Sequence, residues 1–150
     1  MKSSKSVRLS LIFFLTGLCQ SLFAQSVPDY EVDAAWPKRL PNNWIIGQVA
    51  GIDVDDDDNI WLVHRPHSLT PQEAGAIQNP PISLCCVPAP SVLQFDPEGN
   101  LLQAWGSRYW NLETSSWEDD SPNGAWPINE HGIKVDSEGN VWLAGNGDGD

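Results

Sequence analysis

The residues with the clearest chemical potential in this chain are a histidine and an arginine, each beside one copy of a repeated segment. His131 directly precedes the segment 132–143, and Arg65 follows the closely similar segment 51–62 by three residues. An imidazole can bind zinc, which takes three protein nitrogens in some catalytic sites and leaves one position open for substrate. A guanidinium can hold a carboxylate through two parallel hydrogen bonds. If the fold brings both residues to one face, the pair predicts a site for zinc and a carboxylate.

Both residues also have a purely structural interpretation. One histidine cannot form a zinc site alone, and His131 can equally hydrogen-bond to the backbone. Arg65 can pair with an acidic side chain of the loops. Two further histidines flank Arg65. We expect His64 to pack or hydrogen-bond between repeat units, and His67 to be either a ligand or a solvent-facing loop residue.

The elements that must position these side chains are hairpins. The pattern Gly-Ile-x-Val-Asp-x-x-x-Asn-[Ile/Val]-Trp-Leu occurs twice, 81 residues apart. Each copy combines apolar alternation, a tight polar turn and an apolar β-prone run, which is typical of a β-hairpin. A third turn of this type begins at Asp96, so the opening residues Asp55, Asp96 and Asp136 are 41 and 40 residues apart. This self-similarity predicts an all-β fold of four-stranded antiparallel blades, a β-propeller, with about one and a half blades in residues 25–150.

The acidic run 53–59 belongs to the first of these turns. It resembles the start of a calcium-binding helix-loop-helix, but Asp58 stands at the sixth position, where glycine is needed, and His64 at the twelfth, where glutamate is needed. In the repeat alignment Asp58 matches Gly99 and Gly139, at a position that requires a positive φ, which aspartate tolerates. We therefore interpret the run as a turn.

Strand order predicts where a functional site would lie. In a four-stranded antiparallel blade, the first and third connections lie on one face, and the second connection and the link to the next blade lie on the other. The turns at Asp55 and Asp96 are tight, whereas the connections 66–90 and 107–131 are long, so we expect the site on the long-loop face.

Aromatic residues divide between the repeats and the second long connection. Trp61 and Trp142 occupy equivalent repeat positions, which predicts packing between blades. The aromatic residues of the long connection either line a binding cleft or anchor the loop: Tyr109, Trp110, Trp117 and Trp126.

Composition predicts that the protein is exported and excludes nucleic acid as a partner. Residues 1–24 have a basic start, a short apolar run and a cleavage-like end, which predicts a signal peptide rather than a membrane anchor, and thus a secreted or periplasmic protein. The remainder has five basic and 20 acidic residues, a formal net charge of −15, which excludes nucleic acid as a partner. We expect a small-molecule, peptide or protein ligand instead. Cys85 and Cys86 can bridge each other, pair elsewhere or stay reduced, and the oxidising compartment favours a disulfide.

The sequence near each end of the chain supports a further prediction. Residues 30–35 predict either a short strand that closes a ring from the N-terminus or a loose leader. The second repeat unit lacks its third and fourth strands at residue 150, so we expect residues 25–150 to be the N-terminal part of a longer propeller.

The hairpin motif resembles the NHL repeat, Gly-Ile-x-Val-Asp-x-x-Gly-Asn-[Ile/Val]-[Trp/Tyr], which builds six-bladed β-propellers. More narrowly, the segment 47–52, the pair His64-Arg65 and the segment 131–133 are similar to the opening of the peptidyl-α-hydroxyglycine amidating lyases. Those enzymes split a hydroxylated C-terminal glycine into a peptide amide and glyoxylate. The resemblance covers residues 44–145, with gaps in both long loops.

This resemblance implies roles for four residues. His131 matches the first of three zinc-binding histidines, and Arg65 matches the active-site arginine. The backbone carbonyls of Ile52 and Ile133 match positions that hold a structural calcium. After the arginine the family continues Gly-Asp-His, where this chain has Pro66-His67-Ser68, and the other two zinc histidines and the catalytic tyrosine would lie past residue 150. The alternative is a non-catalytic propeller that binds a protein or glycan through its Trp-rich loop face.

Overall fold

The computed structural model describes residues 27–106, 108–111, 113–114, 116–119 and 126–148. The predicted signal peptide, residues 1–24, lies outside them. The compact unit of the fold begins at Asp33. None of the helices in the described ranges is long and apolar enough to cross a membrane.

The predicted strand at residues 30–35 is not formed, because the chain turns there instead of pairing. Residues 30–33 have no regular secondary structure, and Ala34 and Ala35 form a turn. The Asp33 side chain accepts a hydrogen bond from the backbone N–H of Ala35 at 2.8 Å, and the Asp33 carbonyl accepts one from Trp36 at 3.3 Å. Residues 30–35 therefore lie outside the strands of the described chain.

The fold is all-β, as the alternating pattern predicts. Two single-turn 3₁₀ helices, Pro66–Ser68 and Gly75–Ile77, interrupt the strands of the described chain. The strands are β1 (Trp44–Ile45), β2 (Gln48–Val54), β3 (Ile60–Arg65), β4 (Val87–Pro88), β5 (Val92–Phe95), β6 (Leu101–Trp105), β7 (Arg108–Asn111), β8 (Ser116–Asp119), β9 (Glu130–Val135) and β10 (Val141–Gly145).

The repeated motif forms the two expected hairpins. Strands β2 and β3 form the first hairpin, which continues into a four-stranded antiparallel sheet in the order β2-β3-β5-β6. Strands β9 and β10 form the second hairpin, with Val135 opposite Val141 as Val54 is opposite Ile60 in the first. The two copies of the motif therefore have the same register.

The three hairpin turns share one hydrogen-bonding scheme. The Asp55 side chain accepts the backbone N–H of Asn59 at 2.9 Å, and Asp96 and Asp136 do the same with Asn100 and Asn140 at 2.7 and 2.9 Å. The position before each asparagine has a positive φ, which is 62° at Asp58, 82° at Gly99 and 81° at Gly139. The interpretation of the acidic run as a turn is confirmed.

The core lies on both faces of the four-stranded sheet, because strand residues alternate between faces. On one face Trp61, Val63 and Val92 pack against Val135 and other residues of the second hairpin. On the opposite face Leu62, Leu93 and Phe95 are covered by the segment 36–46, in which the Trp36 ring lies 5.4 Å from the ring of Phe95. The segment 36–46 thus covers this face of the first sheet.

The second hairpin packs closely against β2. A side chain at Gly51 would meet the backbone of β9, since a Cβ there would lie 3.1 Å from Gly132 Cα and 3.0 Å from Ile133 N. Asp53 of β2 accepts hydrogen bonds from the backbone N–H of Val135 at 2.7 Å and from Lys134 Nζ at 2.9 Å. The two copies of the motif are therefore joined at their first strands.

Both long connections contain structure that sequence periodicity did not predict. The first connection holds the two 3₁₀ helices and β4, and β4 pairs in parallel with β1. A disulfide joins Cys85 and Cys86 in the same connection. The second holds the β7–β8 hairpin. Each of these strands has two to four residues, too few to show a period of two clearly.

Candidate functional site

His131 lies in a β-bulge that occurs in both repeats. In the second hairpin Gly132 pairs with Ala144 and Glu130 pairs with Gly145, which leaves His131 without an opposite residue. In the first hairpin Gly51 pairs with Val63 and Val49 pairs with His64, so Ala50 also has no opposite residue. A bulge re-aims its side chain and is common beside active sites. The His131 side chain is exposed there.

Arg65 ends β3 on the same side of the fold. Its Nε donates a 2.7 Å hydrogen bond to the main-chain carbonyl of Glu130, the residue before His131. The Arg65 carbonyl in turn accepts a hydrogen bond from Ser68 Oγ at 2.7 Å, which holds the start of the long connection. The tertiary structure thus brings together the two residues that the sequence selects, although they are 66 positions apart.

Arg65 does not pair with an acidic side chain in the described part of the chain. The ion pairs there join Lys134 to Asp53 and His67 to Glu130. Only the Nε of Arg65 is used by the Glu130 carbonyl. Within the described residues, no acidic side chain binds the terminal nitrogens of the half-buried guanidinium, the part of an arginine that can hold a carboxylate through two hydrogen bonds.

Glu130 is a feature of the site that sequence analysis missed. The residue is 4% exposed, and its Oε1 accepts hydrogen bonds from Ser91 Oγ and from Trp126 Nε1, both at 3.0 Å. Its Oε2 is buried without a hydrogen-bond partner among the described residues. A glutamate at the start of a strand carries no sequence signal of burial, because glutamate is usually exposed.

His64 has a structural role, and both of its hydrogen bonds lie within the first repeat unit. Its side chain is fully buried, with Nδ1 accepting the backbone N–H of Gly47 at 3.2 Å and Nε2 donating to the Pro90 carbonyl at 2.9 Å. Burial lowers the pKa of His64 from 6.5 to about 4, against the opposing effect of the Pro90 carbonyl. The neutral imidazole links the chain before β2 to the chain before β5.

His67 lies in the 3₁₀ helix that follows Arg65, beside the Glu130 side chain. Its side chain is 50% exposed, and its Nδ1 lies 3.9 Å from Glu130 Oε2, beyond hydrogen-bonding distance. His67 therefore faces both solvent and the buried carboxylate.

Ile52 and Ile133, the residues that the resemblance connects with calcium, occupy equivalent positions in β2 and β9. Ile52 pairs with Leu62 and Ile133 with Leu143. Both strands lie at the edge of their sheets, so part of their backbone carbonyls face away from the neighbouring strand. Calcium takes six to eight oxygen ligands, so two carbonyls are a fraction of a site.

The carboxylates on the opposite, tight-turn face are occupied by protein donors. Asp55 accepts hydrogen bonds from the Trp61 indole at 2.8 Å and from Asn59, and Asp136 accepts the Trp142 indole at 2.9 Å. Burial alone would raise the pKa of Asp55. These hydrogen bonds outweigh burial and lower the pKa to about 2. The Trp142 indole is the main cause that lowers the pKa of Asp136 to about 2. An open cleft of about 260 Å³ lies between these two turns, and the carboxylates of Asp55 and Asp136 in its lining are hydrogen-bonded within their own turns.

The described part of the chain holds no complete metal site. No three histidine, cysteine, aspartate or glutamate side chains there group closely enough to hold a metal ion. The exposed imidazole of His131 has the right chemistry for one ligand, whereas catalytic zinc has three protein ligands.

One of the loop aromatics anchors its connection to the core. The rings of Trp126 and Trp105 meet edge to face, with centroids 6.2 Å apart, and the Trp126 indole donates to Glu130. Trp110 is half-buried in β7, and the side chains of Tyr109 and Trp117 lie outside the described part of the structure.

Comparison with known proteins adds no family assignment. The sequence matches no protein-family model, and no curated protein is detectably similar to it. The case for a function therefore depends on the motif residues and on the geometry around Arg65.

Proposed function

We propose that this chain belongs to a secreted or periplasmic, six-bladed NHL-type β-propeller. Its long-loop face carries a zinc-dependent lyase site for peptidyl-α-hydroxyglycine or a similar substrate. The observation that supports this most directly is the 2.7 Å hydrogen bond from Arg65 Nε to the carbonyl of Glu130, next to His131. It joins the candidate carboxylate-binding residue to the strand of the candidate zinc ligand.

Each residue has a defined role in this proposal. Arg65 binds the carboxylate of the substrate, and its hydrogen bond to the Glu130 carbonyl orients the guanidinium before the substrate arrives. His131 supplies one imidazole ligand to zinc, and further ligands come from outside the described residues. Zinc, when bound, is a Lewis acid that polarises an oxygen of the substrate. The carbonyls of Ile52 and Ile133 contribute to a structural calcium site.

The four-stranded sheet and the second hairpin support the propeller part of the proposal. The second hairpin packs on the face of the first sheet that carries Trp61, as the inner hairpin of a following blade would. The equivalent side of the second hairpin carries Trp142, which is 64% exposed and has the position to receive another blade.

Metal analysis of the full-length protein tests the lyase proposal. We expect the wild-type protein to bind zinc and His131→Ala to lose most of it. His67→Ala is the matched control, because it removes another exposed imidazole near Arg65 and should leave the zinc content unchanged. Zinc retained in His131→Ala, or lost only in His67→Ala, would show that His131 is not a ligand.

A non-catalytic propeller that binds a protein or glycan is the second candidate. It is supported by the aromatic residues of the second long connection, of which Trp110 is half-buried in β7. A full-length wild-type protein without zinc and without release of glyoxylate from a peptidyl-α-hydroxyglycine would favour this candidate over the lyase.

A further inference from the structure

The free oxygen of Glu130 is an unusual feature of a folded protein. The side chain is 5% exposed, and two donors, Ser91 and Trp126, fix Oε1. Oε2 has no hydrogen-bond partner among the described residues. A buried carboxylate oxygen without a donor is costly, because it has lost its water and gained nothing in return. A donor that binds only when a ligand is present would remove this cost.

The location of this oxygen indicates which ligand would supply the donor. The main-chain carbonyl of the same residue holds Arg65 Nε at 2.7 Å, so the carboxylate lies within one side-chain length of the Arg65 guanidinium. Of the basic groups in the described residues, His67 Nδ1 lies closest to Oε2, at 3.9 Å. His67 is half exposed, so the basic side chain beside Oε2 is itself in contact with solvent.

We propose that Glu130 Oε2 is a specificity contact that accepts a hydrogen bond from an N–H or O–H group of the ligand that Arg65 binds. This inference rests on the proposed role of Arg65 and narrows the substrate class. The ligand carries a carboxylate and, next to it, an amide N–H or a hydroxyl, as in an N-acylated amino acid or a peptide C-terminus.

The same contact excludes compounds that lack the donor. A carboxylate ligand at Arg65 is repelled by the nearby Glu130 carboxylate unless a donor lies between them. A ligand without that donor also leaves Oε2 buried and unpaired. Sites built to hydrogen-bond a polar group reject analogues that lack it much more strongly than sites that recognise shape alone.

The surroundings of Glu130 make glutamine a precise replacement. The Trp126 indole can only donate a hydrogen bond, so it holds the carbonyl oxygen of the new amide at the position of Oε1. The amide NH₂ of Glu130→Gln then occupies the position of Oε2 and presents donors instead of an acceptor. Size, the main-chain carbonyl and its bond to Arg65 remain unchanged.

The experiment compares two compounds that differ at one group, N-benzoylglycine and N-benzoyl-N-methylglycine. Calorimetric titration of the full-length wild-type protein should give at least about tenfold tighter binding of the compound that keeps its N–H. In Glu130→Gln this ratio should fall to within about twofold. Glu98→Gln, on an exposed turn, is the matched control and should retain the wild-type ratio.

The outcomes separate this inference from the proposed function. Equal affinity of the wild-type protein for both compounds, or an unchanged ratio in Glu130→Gln, overturns the role of Glu130 and leaves Arg65 in place. Binding of neither compound overturns carboxylate binding at Arg65, and the role of Glu130 with it. Arg65→Ala should weaken both compounds alike. Equal wild-type affinity for the two compounds overturns the role of Glu130 even if Glu130→Gln fails to fold.

Discussion

At the scale of single residues, burial divides the three histidines of this chain into different chemical roles. His64 is fully buried and hydrogen-bonded at both ring nitrogens, which makes it a structural residue. His67 is half exposed beside a buried carboxylate, and His131 is exposed in a β-bulge. Only the last two are accessible to a ligand or a metal.

We expect His64 to make the stability of the fold depend on pH. Its pKa is about 4 in the folded chain and 6.5 ordinarily, so the unfolded chain binds more protons between these values. Stability should be fully present above pH 6.5 and fall by on the order of 3 kcal/mol as the pH decreases to about 4. Chemical denaturation at a series of pH values measures this loss.

The matching variants identify the residue responsible. His64→Gln should be less stable at neutral pH and should lack most of the decrease between pH 6.5 and 4. His131→Gln, which changes an exposed histidine, should keep the wild-type pH dependence. If His64→Gln shows the same decrease as the wild-type protein, another group is responsible.

At the scale of secondary-structure elements, the contact between the two hairpins depends on Asp53. Its carboxylate accepts the Val135 backbone N–H and the Lys134 ammonium. These two donors, the backbone N–H first, lower the pKa of Asp53. The repeat-equivalent residue of Asp53 is Lys134 itself, so the two motif copies are complementary at this position.

We expect Asp53→Ala to destabilise the protein more than Lys134→Ala. The first substitution leaves the Val135 N–H without its acceptor and should cost about 1–3 kcal/mol. The second removes only an exposed ammonium, 68% of whose side chain is accessible, and should cost less than about 1 kcal/mol. Denaturant titration of both variants checks this order, and equal losses would assign the stabilisation to the ion pair instead.

At the scale of the whole molecule, the two motif copies differ in what covers them. Trp61 is 6% exposed beneath the second hairpin, whereas its equivalent Trp142 is 64% exposed. Both indoles donate to the aspartate that opens their own turn, so their local structure is the same. The difference in exposure between the two tryptophans arises because the second hairpin packs on Trp61.

The propeller proposal predicts that Trp142 is covered by a further repeat in the full-length protein. Trp61→Ala and Trp142→Ala should then each cost about 3–5 kcal/mol, as expected for truncation of a buried tryptophan. If no repeat follows, Trp142→Ala should cost only about 1 kcal/mol, from the lost hydrogen bond to Asp136. Thermal or denaturant unfolding of both full-length variants distinguishes these results, and the smaller loss would contradict the ring.

Local sequence determined the hairpins, their turns and their register. The asparagine and tryptophan of the motif bind the opening aspartate within six residues of it, and alternation of apolar residues sets the two faces of each strand. Such interactions join near neighbours in the chain, so a sequence pattern is enough to predict them. The short strands β4, β7 and β8 lack that pattern and were missed.

Only the tertiary structure decided how the candidate site is built. The burial of Glu130 and the bond from Arg65 to the Glu130 carbonyl depend on how the second hairpin packs against the first sheet. Arg65 and Glu130 are 65 residues apart, and no periodicity links their side chains. Burial and contact at such separations depend on the shape of the packed sheets, which local pattern and propensity do not contain.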